Sequence, residues 1–459
     1  MAQCVRHARA KVSGRPVIVG GFPLAGTTRR VRALRELGAA RCFVVASGVG
    51  TGPLPDAADA EWIVVPIEAT DMMGEMRATE RILDHPPPDV VAALDRFDPD
   101  HDALVLLASV EASLNLGDRV AFGARPPEWV VLEDKTLGDA LFDAAGVPRP
   151  PSRVVDATFA RLHDAAVALD LGAGTVWAGD AREGFNGGGE YVRWVRDGDD
   201  GRAAAAFFAE HCARVRVAPF VAGIPCSVHG FVTDDGVAVF RPVELVNLRR
   251  RSGDRFQYAG CATFWDPAPD DRAQMRAAGR RMGEHLRERV AYRGCFTLDG
   301  IMGAGGFVAT ECNPRPGGGT GYFATALPEL PLDVVQYLAV AGEAEWLRAA
   351  DLEAAVVEAG DRVRWGGGWT PISTRVESTS SEPLVRDADG FRAAVDGEMA
   401  DATLSLGPGG LGGFLRVELG AERTPVGPSV GPLVAAAFAY ADATHATGIG
   451  AVSAAEPAR

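Results

Sequence analysis

The chain has 459 residues, a formal net charge of −15 at pH 7, 47% hydrophobic residues and 23% charged ones. A chain of that length and balance buries a large interior, which argues against disordered and fibrous classes and sets a soft expectation of about three domains. The acidic balance, with no basic run longer than the three arginines at 249 to 251, argues against nucleic acid as a partner.

The seven scattered cysteines show neither CxxC metal spacing nor the density of a disulfide scaffold, a pattern that suits a reducing compartment. No stretch approaches the roughly 18 uncharged apolar residues of a membrane span. The apolar run after the basic N-terminus is too short and glycine-rich for a signal peptide. The expectation is a cytoplasmic protein with no membrane partner.

In chain order, "VIVGGFPL" (17–24) is an apolar, β-branched run followed by a glycine turn and the helical pattern "TRRVRALRELG". Strand-like runs follow at "CFVVAS", "WIVVPI" and "ALVLLAS". Short buried strands alternating with helices predict an α/β domain with a parallel sheet over residues 1–145. It closes with the helix in "DKTLGDALFDAAGVPRPPS", ended by Gly146 and then by prolines. The glycines of "VIVGGFPLAG" do not make GxGxxG, and no P-loop is present, so Gly20, Gly21 and Gly26 read as a tight turn beside a ligand cleft.

Residues 146–222 alternate strands ("SRVV", "TVWAG", "VRVAPFV") with two helices and the glycine-rich loop "REGFNGGG", a compact α+β unit of the size that often acts as a lid. Residues 223–345 hold the strands "SVHGFVT", "VAVFRPVELV", "CFTLDGIM" and "FVATECN", with the helix "DDRAQMRAAGRRMGEHLRERVA" among them. His229 in this stretch reads as a strand histidine and not as a catalytic base. Residues 346–459 form an extension with its own signals, "GFLRVELG" and "VGPLVAAAFAYADATHA"; "RWGGGWTP" reads as a turn, with a substrate wall as the alternative.

The chemistry concentrates in "FTLDGIMGAGGFVATECNPRPGGGTGYF" (296–323). Two strands joined by "GAGG" form a hairpin, and the i, i+2 spacing of Glu311 and Asn313 puts both on one face, near Asp299 on the other strand. Cys312, between them, faces the opposite way into the core. Three oxygen-bearing side chains suit a hard cation such as Mg²⁺; the hairpin alone fits a solvated charged face equally well. Arg315 and the glycines after it favour phosphoryl chemistry, because a guanidinium and exposed backbone N–H groups both receive anions. No Ser-His-Asp or Cys-His set stands out beside it.

The run "LDGIM…ECNPRPGGG" resembles the C-terminal signature of the ATP-grasp superfamily, whose members hold Mg·ATP between two α+β lobes and activate a carboxylate as an acyl phosphate. "EDKTLGDALFDAAGVPRP", "REGFNGGG" and "VAPFVAGIPCSV" resemble its entry to the small lobe, its flexible phosphate loop and its adenine linker, so the resemblance covers residues from about 130 to 330. It implies Lys135 as a cation for the ATP phosphates, Gly187, Gly188 and Gly189 as the closing loop, and Pro219, Phe220 and Val221 as the adenine slot. It implies Asp299, Glu311 and Asn313 as ligands of Mg²⁺, with Mn²⁺ as a substitute. Arg315 would steady acyl-phosphate or carboxylate charge, and Arg250 would reach the γ-phosphate, with Arg249 and Arg251 as near alternatives.

Two departures stand out. "TVWAGDAREG" has Ala178 and Gly179 where the family commonly has a lysine, leaving Arg182 or Lys135 to replace it, and Ile224, Pro225 and Cys226 stand where a ribose-capping glutamate is usual. Within the superfamily, "ECNPRPGGGTGYF" and the long extension look most like carboxylate–amine ligases, including peptide ligases of the pheganomycin type from secondary metabolism. The implied partners are an amino acid and an amine or peptide. Members are often dimers, so a homodimer stays open. The other readings are a carboxylase or nucleotide-pathway ligase on the same fold, and an ATP-binding scaffold without catalysis.

Overall fold

The computed structural model describes residues 2–108, 115–184, 186–250, 255–388 and 390–456. Four sheets succeed one another along the chain. The first is parallel, with strands β1 (Pro16–Phe22), β2 (Arg41–Ala46), β3 (Ala60–Val64) and β4 (Leu104–Leu107) in the order β3-β2-β1-β4. Its strands are apolar throughout because both faces are covered. Val17, Val19 and Val44 pack in one cluster with Val31 and Leu34 of the helix Leu24–Glu36, while Ile18, Phe43 and Val45 pack in another with Val90 and Leu94 of the helix Pro88–Phe97. Gly21 has φ of 92°, and a Cβ there would stand 2.2 Å from the Ala108 carbonyl oxygen. This turn serves a close approach between β1 and the end of β4, and Gly20, Gly21 and Gly26 do not line the cleft described below.

The helix Gly138–Ala145 ends at Gly146, which takes the left-handed conformation that the sequence implies. The second sheet is antiparallel: β5 (Arg153–Asp156), β6 (Thr175–Gly179), β7 (Val192–Val195) and β8 (Arg214–Pro219), in the order β5-β8-β6-β7. One face carries Trp177, Val215 and Val217 into a core with the helices Phe159–Leu169 and Gly198–His211. The other presents Val176, Ala178, Arg216 and Ala218 to the cleft.

The third sheet joins β9 (Ile224–Val232), β10 (Val237–Arg250), β11 (Phe256–Ala262), β12 (Gly294–Gly303) and β13 (Gly306–Asn313) in the order β11-β10-β9-β12-β13. Its rear face packs on the helix Pro269–Val290, where Met275, Met282 and Leu286 meet Val228, Phe296 and Leu298. Gly279 and Gly283 are required on that helix, since a Cβ would approach Val228 Cγ1 to 2.4 Å and Val237 Cγ1 to 2.5 Å respectively. Strand alternation then sends Ser227, His229, Thr297 and Asp299 forward.

The fourth sheet is antiparallel, with β14 (Gly367–Ile372), β15 (Ser380–Asp387), β16 (Gly390–Ala393), β17 (Ala402–Gly409) and β18 (Gly412–Leu419) in the order β14-β18-β17-β15-β16. Together with the helix Gly431–His445 it shares one apolar cluster with Val246 and Leu248 of β10, and β19 (Val452–Ser453) adds an edge to β10. The run "RWGGGWTP" is therefore strand and not turn. Its glycines answer a need for closeness: a Cβ on Gly367 would stand 2.0 Å from the Val417 carbonyl oxygen, and one on Gly368 would stand 2.2 Å from Val434 Cγ1.

A buried carboxylate ties this extension to the third sheet. Glu244 of β10 accepts from Ser429 Oγ at 2.5 Å, Val430 N at 2.8 Å and Gly431 N at 3.2 Å, capping the helix Gly431–His445 from another element. Glu244→Ala leaves those donors buried without an acceptor and is expected to cost about 1–3 kcal/mol. Denaturant melts followed at the extension's tryptophans test this, and an unchanged midpoint would sink the capping role. No helix is long and apolar enough to cross a membrane among the described residues.

Candidate functional site

A cavity of about 540 Å³ opens between the second and third sheets. The β12–β13 hairpin forms its floor. Asp299 and Glu311 are direct cross-strand partners, as are Thr297 and Asn313. The register shifts after Asp299, so that Thr310 is an extra residue. The bulge lets Ala309 and Cys312 both reach the rear core while Thr310 and Glu311 face the cavity. Burial first, and the Glu311 charge second, push the Asp299 carboxyl up to about 7. Asn313 Nδ2 donates to Asp299 Oδ2 at 3.1 Å.

Cations bracket these acids. Lys135, buried at 8% exposure, donates to Glu311 Oε1 at 2.9 Å and to the backbone oxygen and Oδ1 of Asn186, both at 3.0 Å. Arg315 donates from Nε to Glu133 Oε2 at 2.8 Å and from Nη2 to Asn313 Oδ1 at 3.2 Å. The other Glu133 oxygen accepts from Arg125 Nη1 at 2.5 Å, and the same nitrogen reaches the Pro314 carbonyl at 3.0 Å. Burial alone would raise the Glu133 carboxyl, but the charges of Arg315 and Arg125 outweigh it and hold the group below the ordinary glutamate range. Sequence reasoning missed Glu133, although it lies two residues before Lys135 at the end of an apolar run, a place where an acid needs a partner.

The glycine-rich loop runs along the cavity. Gly187, Gly188 and Gly189 line it, Gly187 N donates to Met73 Sδ at 3.2 Å, and Glu190 pairs with Arg255. Gly188 has φ of 61°, and a Cβ on it would lie 1.7 Å from Met72 Cε. Gly188→Ala is expected to strain the loop by ~1–2 kcal/mol through its backbone conformation alone, since the methionine tip can swing aside. On the nucleotide reading proposed below, affinity for the nucleotide should fall, and adding Met72→Ala should recover only the steric share. Wild-type affinity in the single variant would exclude a closing role for this loop.

Pro219, Phe220 and Val221 also line the cavity. Phe220 stacks on Trp194 with centroids 4.5 Å apart, Trp194 stacks on Phe256 at 5.9 Å, and the Arg249 guanidinium lies 5.1 Å from the Phe220 ring centre. These flat faces suit a planar heterocycle. His229 lies in the cavity wall: its Nε2 accepts from Gly319 N at 3.1 Å, and burial pushes its pKa down to about 3, in keeping with a buried strand histidine that holds the glycine turn.

Two expected residues lie elsewhere. Arg250 is exposed at the end of β10 opposite Val452, because alternation along β10 gives Leu245, Asn247 and Arg249 to the cavity and turns Arg250 away. Arg182 donates to the carbonyls of Cys212 and Glu210 at the end of the helix Gly198–His211, so it does not replace the missing lysine. Arg251 lies outside the described residues. In place of Arg182 the structure puts Arg216 at the cavity, directly across the ladder from Ala178. Trp369 of the extension also lines it, so "RWGGGWTP" contributes to the cavity wall.

No family model and no curated protein matches the chain. Among solved structures it is similar to the biotin carboxylase domain dimer of 2-oxoglutarate carboxylase from Hydrogenobacter thermophilus, in complex with MgADP, ADP and bicarbonate. The identity is 14%, covering 89% of this chain and 86% of that one, with a TM-score of 0.52. It is also similar to N5-carboxyaminoimidazole synthase from Aspergillus clavatus, in complex with ADP and 5-aminoimidazole ribonucleotide, at 12% identity, 93% and 99% coverage and a TM-score of 0.49. The corresponding synthetase from Thermotoga maritima matches at 13% identity, 96% and 99% coverage and a TM-score of 0.47. The likeness to the carboxylase domain shows a shared mixed α/β fold over 89% of this chain.

Proposed function

We propose that this chain is an ATP-dependent carboxylate–amine ligase that forms an amide through an acyl phosphate, joining an amino acid to an amine or peptide. The observation that carries the reading is the convergence of Asp299, Glu311 and Asn313 with Lys135 and Arg315 on one wall of a cleft lined by a glycine loop. Among the described residues no group of three or more His, Cys, Asp or Glu is placed to hold a metal alone. A hard cation here would be held by the carboxylates of Asp299 and Glu311 and the amide oxygen of Asn313, the oxygen donors that suit Mg²⁺. The residues fit that ion, because the β12–β13 ladder sets two carboxylates opposite each other, and burial first and the Glu311 charge second raise Asp299. When bound, Mg²⁺ supplies charge neutralisation at the phosphates.

In this reading the γ-phosphoryl passes to a substrate carboxylate oxygen and ADP leaves. The amine nitrogen then attacks the acyl carbon, phosphate departs with the bonding pair, and the amine gives up a proton. Lys135 and Arg315 offset charge that builds where two anions meet, and the loop at 187–189 keeps water from the acyl phosphate. Phe220, with Pro219 and Val221, takes the adenine. The chain needs no nucleophile of its own, in keeping with its seven buried cysteines, among them Cys312 in the rear core.

Phosphate release and product mass spectrometry on the full chain with Mg·ATP and a mixed pool of amino acids and peptides test the reading. An ATP-dependent amide supports it. Carboxylation is the second reading, favoured by the fold likeness to a biotin carboxylase domain; turnover that requires bicarbonate would establish it in place of the ligase. Binding of ATP without turnover across the pool would overturn both.

A further inference from the structure

We propose that Arg216 is an anion-binding group of the cleft and takes a phosphate oxygen of the bound nucleotide from the small-lobe side. This rests on the nucleotide reading above. Arg216 is 5% exposed and lines the cavity. Its Nε donates to Asp139 Oδ1 at 2.7 Å, which fixes the plane of the guanidinium, while its buried Nη2 has no hydrogen-bond partner. An N–H of a charged group left buried and unpaired is costly, and an incoming anionic oxygen is the partner that removes the cost.

The other cleft cations are already engaged. All three Lys135 protons have acceptors on Glu311 and Asn186. Arg315 is gripped by Glu133 and Asn313, and Arg249 lies against the faces of Trp194 and Phe220. These groups serve the hairpin floor and the aromatic end. Arg216 stands apart from them on β8, on the face it shares with the small apolar side chains of Val176, Ala178 and Ala218, with Asp139 as its ion-pair partner. Its direct cross-strand partner is Ala178, whose short side chain leaves the guanidinium room on the cleft face.

Substitution at Arg216 does not strand its partner. Asp139 also accepts from Ser152 Oγ at 2.6 Å and has Arg149 Nη1 at 3.6 Å, so Arg216→Met should fold, which the melting temperature without nucleotide checks. Calorimetric titration of the full chain with adenosine and, in Mg²⁺, with ADP and ATP is the test. Arg216→Met is expected to weaken ATP and ADP by about tenfold to a hundredfold, the range for a lost charge-assisted hydrogen bond, and to leave adenosine unchanged. Adding Ala178→Lys should restore part of the ATP affinity by placing a cation on the same face.

Wild-type ATP binding in Arg216→Met would overturn this assignment alone. So would a parallel loss of adenosine binding, or failure of Ala178→Lys to recover any affinity, since either marks Arg216 as a structural tie to Asp139. No nucleotide binding by the wild type would overturn the nucleotide reading and this assignment with it.

Discussion

On the proposed ligase reading, Glu311→Gln is expected to reduce ATP-dependent turnover at least ~100-fold while the fold stays intact, because it removes the charge that pairs with Lys135 and that is proposed to hold the metal. Gln keeps the shape, so circular dichroism and the melting profile should change little. The variant should also lower the Asp299 pKa from about 7, since the Glu311 charge is the second cause of its rise after burial. Cys312→Ala makes the comparison specific. It alters the next residue on the opposite face, in the rear core, and should cost about 1 kcal/mol of stability with turnover retained. Phosphate release over a Mg²⁺ titration reads both variants. Full activity in Glu311→Gln would sink the metal assignment, and loss in Cys312→Ala alone would mean that the hairpin's geometry and not its charge is what matters.

The hairpin was legible in the sequence because strand alternation is local. Glu311, Cys312 and Asn313 carry their face assignment in their spacing, and the two-residue connection between β12 and β13 starts the ladder, but the bulge at Thr310, which nothing local announces, is what puts Asp299 opposite Glu311. The parallel sheet was legible for the same reason, in runs such as "VIVGG" that are apolar at every position. What was not legible depends on strands that meet from afar. Arg250 was expected in the cleft and Arg249 occupies it, a difference of one residue that only the phase of β10 against its neighbours decides. Arg182 sits near the glycine loop in sequence, yet the end of the helix Gly198–His211 claims it. Arg216 lies 38 positions from Ala178, and the β6–β8 ladder makes them neighbours. The glycines of "RWGGGWTP" look like turn residues, since nothing local distinguishes a glycine that bends the chain from one that admits a neighbouring strand.

Glu133→Ala is expected to destabilise the protein by about 3–5 kcal/mol, the largest single-residue cost foreseen, because it leaves two guanidinium groups without their shared carboxylate. Glu133 is buried, accepts from Arg125 at 2.5 Å and from Arg315 at 2.8 Å, and so links the segment before Lys135 to the loop that follows the hairpin. Glu133→Gln keeps an acceptor and should cost less. Both variants should also slow turnover, since Arg315 loses the group that aims it. The pH dependence separates charge from packing. The Glu133 carboxyl is held below its ordinary value of 4.5 in the folded protein, so its contribution is fully present above that pH and is lost as pH falls through the lower, folded value. The stability gap between wild type and Glu133→Gln, measured by denaturant unfolding, should therefore be constant from neutral pH down to about 4.5 and should close only in stronger acid. A gap that shrinks near neutral pH would place its origin in another group, and one that persists unchanged in strong acid would make Glu133 a packing residue and not the counter-charge that positions Arg315.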